Sequence, residues 1–257
     1  MERRRAAAGA AIDARVRPHL GGAVPSASRA ICAVVFDLDG VLIDSEQIWE
    51  VVRRAFILEH GGRYTESATR DMMGMSASEW SHYIATKLGV NLPDREINEG
   101  IAAGVAARYR TELPLVPGAV ETVRALAKRF PLGLASSSNR PLIELALDGA
   151  GLRDSFTVVV SADEVARGKP APDVYLRAAE LLKQRPHDCA AVEDSANGIR
   201  SARAAAMVVI AIPNHTFPPS SDALKLADRV LESITELRAE GVLEAAVSAR
   251  ADLNERP

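Results

Sequence analysis

The stretch CAVVFDLDGVLIDSE, residues 32–46, decides how the rest of the chain is read. An apolar run, Ala33 to Phe36, leads straight into Asp37 and Asp39, and Asp44 follows. Such a short run of β-branched and aromatic residues predicts a buried strand. Residues one apart on a strand point to the same side, so Asp37 and Asp39 set two like charges together. Close carboxylates raise each other's pKa and favour a bound cation. A calcium loop fits poorly, because it places glycine sixth and follows a helix, whereas Gly40 is fourth here and a strand precedes it.

Four further apolar runs predict strands at 131–136, 156–160, 189–193 and 207–212. Near-continuous apolarity suits a parallel sheet covered on both faces. Helical patterns at 118–130, 140–151, 171–184 and 195–206 alternate with them. The expected fold is therefore α/β, a doubly wound parallel sheet of Rossmann-like form. The alternation breaks once, between residues 37 and 130, where helices are expected at 46–60, 66–73, 77–88 and 94–111. That is more chain than a crossover needs, so residues 47–113 read as a small helical domain inserted into a core of 31–46 and 114–240. Ser233, with Glu236 three residues on, has the capping-box spacing of a helix start; residues 241–257 read as the C-terminal tail, of which SARADLNERP, 248–257, is expected to fray. Residues 1–30 read as a disordered or loosely helical extension, with a transit peptide as the alternative.

Composition excludes several roles. The 257 residues are 47% hydrophobic and 25% charged, as in a globular chain with a real core. A net charge of −3 and 4% aromatics offer neither the basic field nor the stacking surface of a nucleic-acid binder. No apolar run reaches the roughly 18 residues of a membrane span. Cys32 and Cys189 read as two buried, reduced thiols of a cytoplasmic protein.

Ligands of open α/β sheets bind at the carboxyl ends of the strands. Those ends carry Asp37 and Asp39, then Ser136-Ser137-Ser138-Asn139, then Lys169 in GKPAPD, then Glu193-Asp194. Oxygen-only ligands suit Mg²⁺. Serine and lysine suit phosphate oxygens. One carboxylate can attack phosphorus while its neighbour moves the proton.

DLDGVLIDS, a strand ending in ASSS, GKPAPD and VEDSANGI, in that order, resemble the four signature motifs of the haloacid dehalogenase-like hydrolases. The position of the insertion resembles the helical cap of their β-phosphoglucomutase-like phosphatase branch. The resemblance implies that Asp37 is the nucleophile and Asp39 the general acid/base. It implies a phosphate clamp of Ser136, Ser137 and Lys169. It implies Mg²⁺ held by Asp37, Asp39, Glu193 and Asp194, and a hinge at Gly40. The β-phosphoglucomutases carry a histidine twelve residues after the nucleophile and an arginine in the cap turn; here those positions are Trp49 and Ala77. Hydrolysis of a small phosphorylated metabolite, a sugar or polyol phosphate, is therefore expected over mutase chemistry, with a non-catalytic binding protein as the third reading. Trp49 belongs either to the leaving-group pocket or to the cap interior, and Asn139 is placed near the clamp. Asp44 is expected to anchor the hinge rather than catalyse. If strands one and four are neighbours, as this family implies, Cys32 and Cys189 lie close together.

Overall fold

The computed structural model describes residues 30–73 and 75–254, so the expected N-terminal extension falls outside it up to residue 29. Six strands form one parallel sheet: β1 (Ala33–Phe36), β2 (Leu132–Ser136), β3 (Val158–Ser161), β4 (Cys189–Glu193), β5 (Val208–Ala211) and β6 (Arg229–Val230). Their order is β3-β2-β1-β4-β5-β6. The order reverses at β1, which places a ligand crevice at its carboxyl end.

The helices are α1 (Glu46–Glu59), α2 (Ala68–Met72), α3 (Ala77–Lys87), α4 (Asp94–Thr111), α5 (Ala119–Ala127), α6 (Arg140–Gly149), α7 (Asp173–Leu181), α8 (Ala196–Ala204), α9 (Ser221–Leu224) and α10 (Ala239–Asn254). Alternate strand residues enter opposite layers. Val34, Phe36, Leu134, Val192 and Ile210 pack with α5, α6 and α10. Ala33, Val35, Ala191 and Val209 pack with α7 and α8. Phe36 is fully buried and meets Phe156 edge to face at 6.1 Å; burial of such a ring contributes about 1.5–3 kcal/mol. No helix among the described residues is long and apolar enough to cross a membrane.

Helices α1 to α4 all lie between β1 and β2. In α4 the buried residues Ile97, Ile101, Val105 and Tyr109 recur every fourth position, a single apolar stripe. The two chain segments joining these helices to the sheet pair with each other. The Asp44 N–H donates to the Pro114 carbonyl at 2.7 Å, and the Val116 N–H donates to the Leu42 carbonyl at 3.0 Å. Asp44 works here through its backbone, with an exposed side chain.

Three expectations are corrected. Ser233 caps a 3₁₀ turn, Ile234–Glu236, not a helix: its Oγ accepts from the Thr235 N–H at 3.2 Å, which closes the chain locally. The helix starts later, at Ala239, and continues to Asn254, so the expected frayed tail is mostly helical; Val242, Ala245 and Ala246 tie its first turns to the core. Cys32 is exposed rather than buried, because β1 begins one residue after it. The strand adjacency does hold, with Ala33 paired to Cys189. Both cysteines are free, and burial pushes the Cys189 thiol up to about 12, which keeps it protonated.

Candidate active site

Asp37 directly follows β1, Glu193 ends β4 with Asp194 next, and Lys169 sits in the loop before α7. The topology brings them together. The Lys169 ammonium, 3% exposed, donates to Asp37 Oδ1 and to Glu193 Oε1, each at 2.6 Å. Tyr175 of α7 donates its hydroxyl to the same Glu193 oxygen at 2.7 Å. The other Glu193 oxygen accepts from the Asp194 N–H, the Ser195 N–H and Ser195 Oγ at 3.1–3.3 Å. Both oxygens of Glu193 are thus engaged by protein donors, and Glu193 fixes Lys169 in place.

Burial is the main influence on these charges. It pushes Asp37 up to about 8 against the pull of Lys169, and it holds Asp194 well above the usual carboxylate range. Burial alone would lower Lys169, but Asp37 and Glu193 together raise it. One ligand atom each from Asp37, Glu193 and Asp194 lies within 4.8 Å of the others, and all three side chains are buried. More negative charge is gathered here than one lysine balances, and the donors are all oxygen. That set fits a hard divalent cation.

Gly40 answers two local requirements. Its φ is +81°, its N–H donates to the Ile43 carbonyl at 2.7 Å, and a Cβ would lie 1.9 Å from Asp194 Oδ2. The position needs both a left-handed backbone and room for a carboxylate. Gly40→Ala should therefore displace Asp194. The expected result is a folded protein with at least about a hundredfold lower kcat and weaker metal activation, read from a Mg²⁺ titration of activity alongside circular dichroism.

Asp39 lies at the seam between core and cap helices. Its Oδ1 accepts from Ser45 Oγ at 2.5 Å, Trp49 Nε1 at 3.4 Å and Tyr109 OH at 3.5 Å. Its Oδ2 accepts from Ser138 Oγ at 2.7 Å and Ser136 Oγ at 3.4 Å. Donors from the start of α1, from α4 and from the end of β2 thus hold one carboxylate. Two other bonds join the layers nearby: Asn197 Nδ2 donates to the Met73 carbonyl at 3.0 Å, and Asn139 Nδ2 to Asn98 Oδ1 at 3.1 Å.

A small cavity of about 50 Å³ opens over these groups. Its floor is Asp37, Asp39, Ser137, Ser138, Lys169 and Asp194, and its cap side includes Glu46, Trp49, Arg53 and Trp80. Trp49 is therefore a cavity wall. Ser136 is fully buried behind the floor, where its Oγ also accepts the Ser138 N–H at 3.0 Å. Asn139 is a correction: at the N-terminus of α6 it faces a separate groove between α4 and α6, because its amide is drawn to Asn98 and Asp163. His82 and Tyr83 bond within the cap, to Asp94 and Asp71. Arg108 is exposed, and His215 lines another cavity. Sequence reasoning missed Ser45, Glu46, Arg53, Trp80, Tyr109, Ser138 as a side-chain donor, and Tyr175. The spacing of Glu46, Trp49 and Arg53, one face of a helix, was the available signal.

The model of the haloacid dehalogenase-like hydrolase family matches residues 31–206. The chain belongs to the haloacid dehalogenase-like hydrolases. Hexitol phosphatase B of Escherichia coli K12 is 35% identical over 222 residues, covering 85% of this chain and 99% of the relative. Validoxylamine A 7'-phosphate phosphatase of Streptomyces hygroscopicus subsp. limoneus is 32% identical, covering 79% and 94%. The bifunctional riboflavin kinase/FMN phosphatase of Arabidopsis thaliana is 31% identical, but this chain spans only 54% of its length. Among solved structures, CbbY of Rhodobacter sphaeroides superposes with a TM-score of 0.73 at 26% identity, covering 83% of this chain and 99% of that one. A β-phosphoglucomutase of Clostridium difficile shares the fold at TM-score 0.74 and 22% identity, with 86% and 99% covered. The hydrolase is an enzyme of the phosphatase type, with a Rossmann-like core and helical cap.

Proposed function

We propose that this hydrolase is a Mg²⁺-dependent phosphomonoesterase that acts on a small sugar or polyol phosphate through an aspartyl-phosphate on Asp37. The observation that carries the reading is the placement of Asp37: a buried carboxylate, held on one oxygen by Lys169 at 2.6 Å, in the floor of the cavity. The other oxygen attacks phosphorus, and the ester P–O bond breaks. Asp39 gives a proton to the departing oxygen, then takes one from the water that cleaves the aspartyl-phosphate. Inorganic phosphate leaves and Asp37 is restored. Ser137, the backbone N–H groups beside it and Lys169 hold the phosphate oxygens; Ser136, expected in the clamp, lies behind the floor and supports the turn through its bonds to Ser138 and Asp39. Asp37, Asp194 and the Asp39 carbonyl would hold Mg²⁺, with Glu193 anchoring the set through its bonds to Lys169 and the Ser195 turn. Bound Mg²⁺ neutralises phosphate charge at the reacting centre.

The relatives named for hexitol, validoxylamine 7'-phosphate and phosphorylated carbohydrate hydrolysis support a polyhydroxylated leaving group. Trp49 and Ala77 stand where the mutases carry histidine and arginine, which supports hydrolysis. A set of phosphorylated metabolites incubated with Mg²⁺ tests the reading. Free phosphate from a hexose or hexitol phosphate is expected; conversion of a hexose 1-phosphate to the 6-phosphate would establish a mutase instead.

Metal and protons compete for the same buried carboxylates. The folded-state pKa of Asp37 is raised, so without metal its ionisation costs stability as pH climbs from about 4 through about 8. The increase in Tm on adding Mg²⁺ is therefore expected to be larger at pH 8 than at pH 6. A Mg²⁺-induced shift that shrinks over this range would contradict the assignment.

A further inference from the structure

The cap side of the cavity holds a charge that the chemistry above leaves unused. Arg53 of α1 is 6% exposed and lines the cavity. Its guanidinium carbon lies 4.6 Å from the Trp49 ring centroid and 5.2 Å from that of Trp80. The two tryptophans meet edge to face at 6.0 Å, so they flank the guanidinium from two directions. Among the described residues its buried Nε has no hydrogen-bond partner. Cation–π contacts offset part of the cost of burying the cation, but they leave its Nε–H without an acceptor. A buried donor without an acceptor is costly. Arg53 lines the cavity, so an oxygen that enters there can meet its guanidinium.

The surroundings define what that occupant carries. Glu46 lies on the same face of α1, two turns earlier, and lines the same cavity; its charge and that of Arg53 act on each other. A second phosphate or a carboxylate placed at Arg53 would meet Glu46 as a like charge. A hydroxyl can accept from the guanidinium while a neighbouring one donates to the carboxylate. Met72, Met73, Met75 and the two indoles supply apolar wall for the carbon chain between hydroxyls.

We propose that Arg53, packed against Trp49 and Trp80, is a specificity-determining residue that with Glu46 binds adjacent hydroxyls of an uncharged polyol leaving group. The inference rests on the phosphatase reading and deepens it. The planar fork is essential, because the lysine ammonium is a point charge that does not stack.

The test compares kcat/KM for a hexitol phosphate with kcat/KM for acetyl phosphate, whose leaving group has no hydroxyl. In Arg53→Met and Arg53→Lys the ratio of the two is expected to fall at least about tenfold, the loss a buried hydrogen bond commonly brings. A series of deoxyhexitol phosphates on the wild-type protein gives the same answer without a substitution. At least one deletion should cost about tenfold in the wild type, and that discrimination should vanish in Arg53→Met. An unchanged ratio, a flat deoxy series, or a wild-type preference for a bisphosphate or a phosphorylated sugar acid would each overturn the inference. Absence of phosphate release from every ester, acetyl phosphate included, would instead remove the phosphatase reading, and this inference with it.

Discussion

Asp37→Asn stops turnover, with kcat reduced on the order of 10⁴-fold or more, while the fold persists. Asparagine has the size of aspartate, and its carbonyl oxygen still accepts from Lys169, which keeps Glu193 as its second partner. Attack on phosphorus needs the carboxylate anion, and the amide cannot supply it. Burial disfavours the charge of Asp37 more strongly than any other influence, so removing that charge lifts a cost of folding. The metal-free variant should therefore melt at or above the temperature of the metal-free wild type at pH 8. Steady-state phosphate release and a thermal melt check both halves. Residual activity within tenfold of wild type would place the nucleophile elsewhere.

Lys169→Met is expected to have the largest effect on stability. Asp37 and Glu193 are 6% and 0% exposed, and both take their cation from this one side chain. Methionine fills the space and leaves two buried carboxylates without it. Breaking a buried ion pair from one side costs about 3–5 kcal/mol. Urea denaturation at pH 7 without metal should show a loss of that order. The deficit should shrink as pH falls through about 8, because protonating Asp37 removes a charge that Lys169 balanced. Turnover should fall as well, since the phosphate loses its ammonium partner. A loss below about 1 kcal/mol that does not vary with pH would show that Lys169 is a surface-like lysine, against its geometry.

The carboxyl edge of the sheet was legible in the sequence because the four inner strands are buried on both faces. Runs such as AVVF and CAAVE carry no competing helical period, and each ends abruptly in polar residues. Parallel topology then puts Asp37, Ser136, Lys169 and Glu193 on one rim whatever the loops do. The helices of the insertion were legible from their own stripes. What the sequence concealed depends on contacts between layers. Tyr109 reaches Asp39 from α4 across 70 residues of chain, and no local pattern marks that. Arg53 looked like one more polar residue of an amphipathic helix; only the packing of Trp49 and Trp80 turns it into the cavity. Asn139 was misplaced because strand ends were treated as equivalent, whereas the first turn of α6 rotates its amide toward Asn98. Cys32 and Ser233 failed on single-residue boundaries, where one local hydrogen bond or one residue of strand decides exposure.

The central claim is that phosphorus passes through a covalent bond to Asp37. The protein should be quenched during turnover of a good substrate with Mg²⁺, reduced with borohydride, digested and read by peptide mass spectrometry. An acyl phosphate at Asp37 becomes homoserine at position 37, with Asp39 unchanged, and Asp37→Asn shows none. Homoserine at position 39 or 194, or an unmodified DLDGVLIDSE peptide from an enzyme shown to be turning over, would contradict the account.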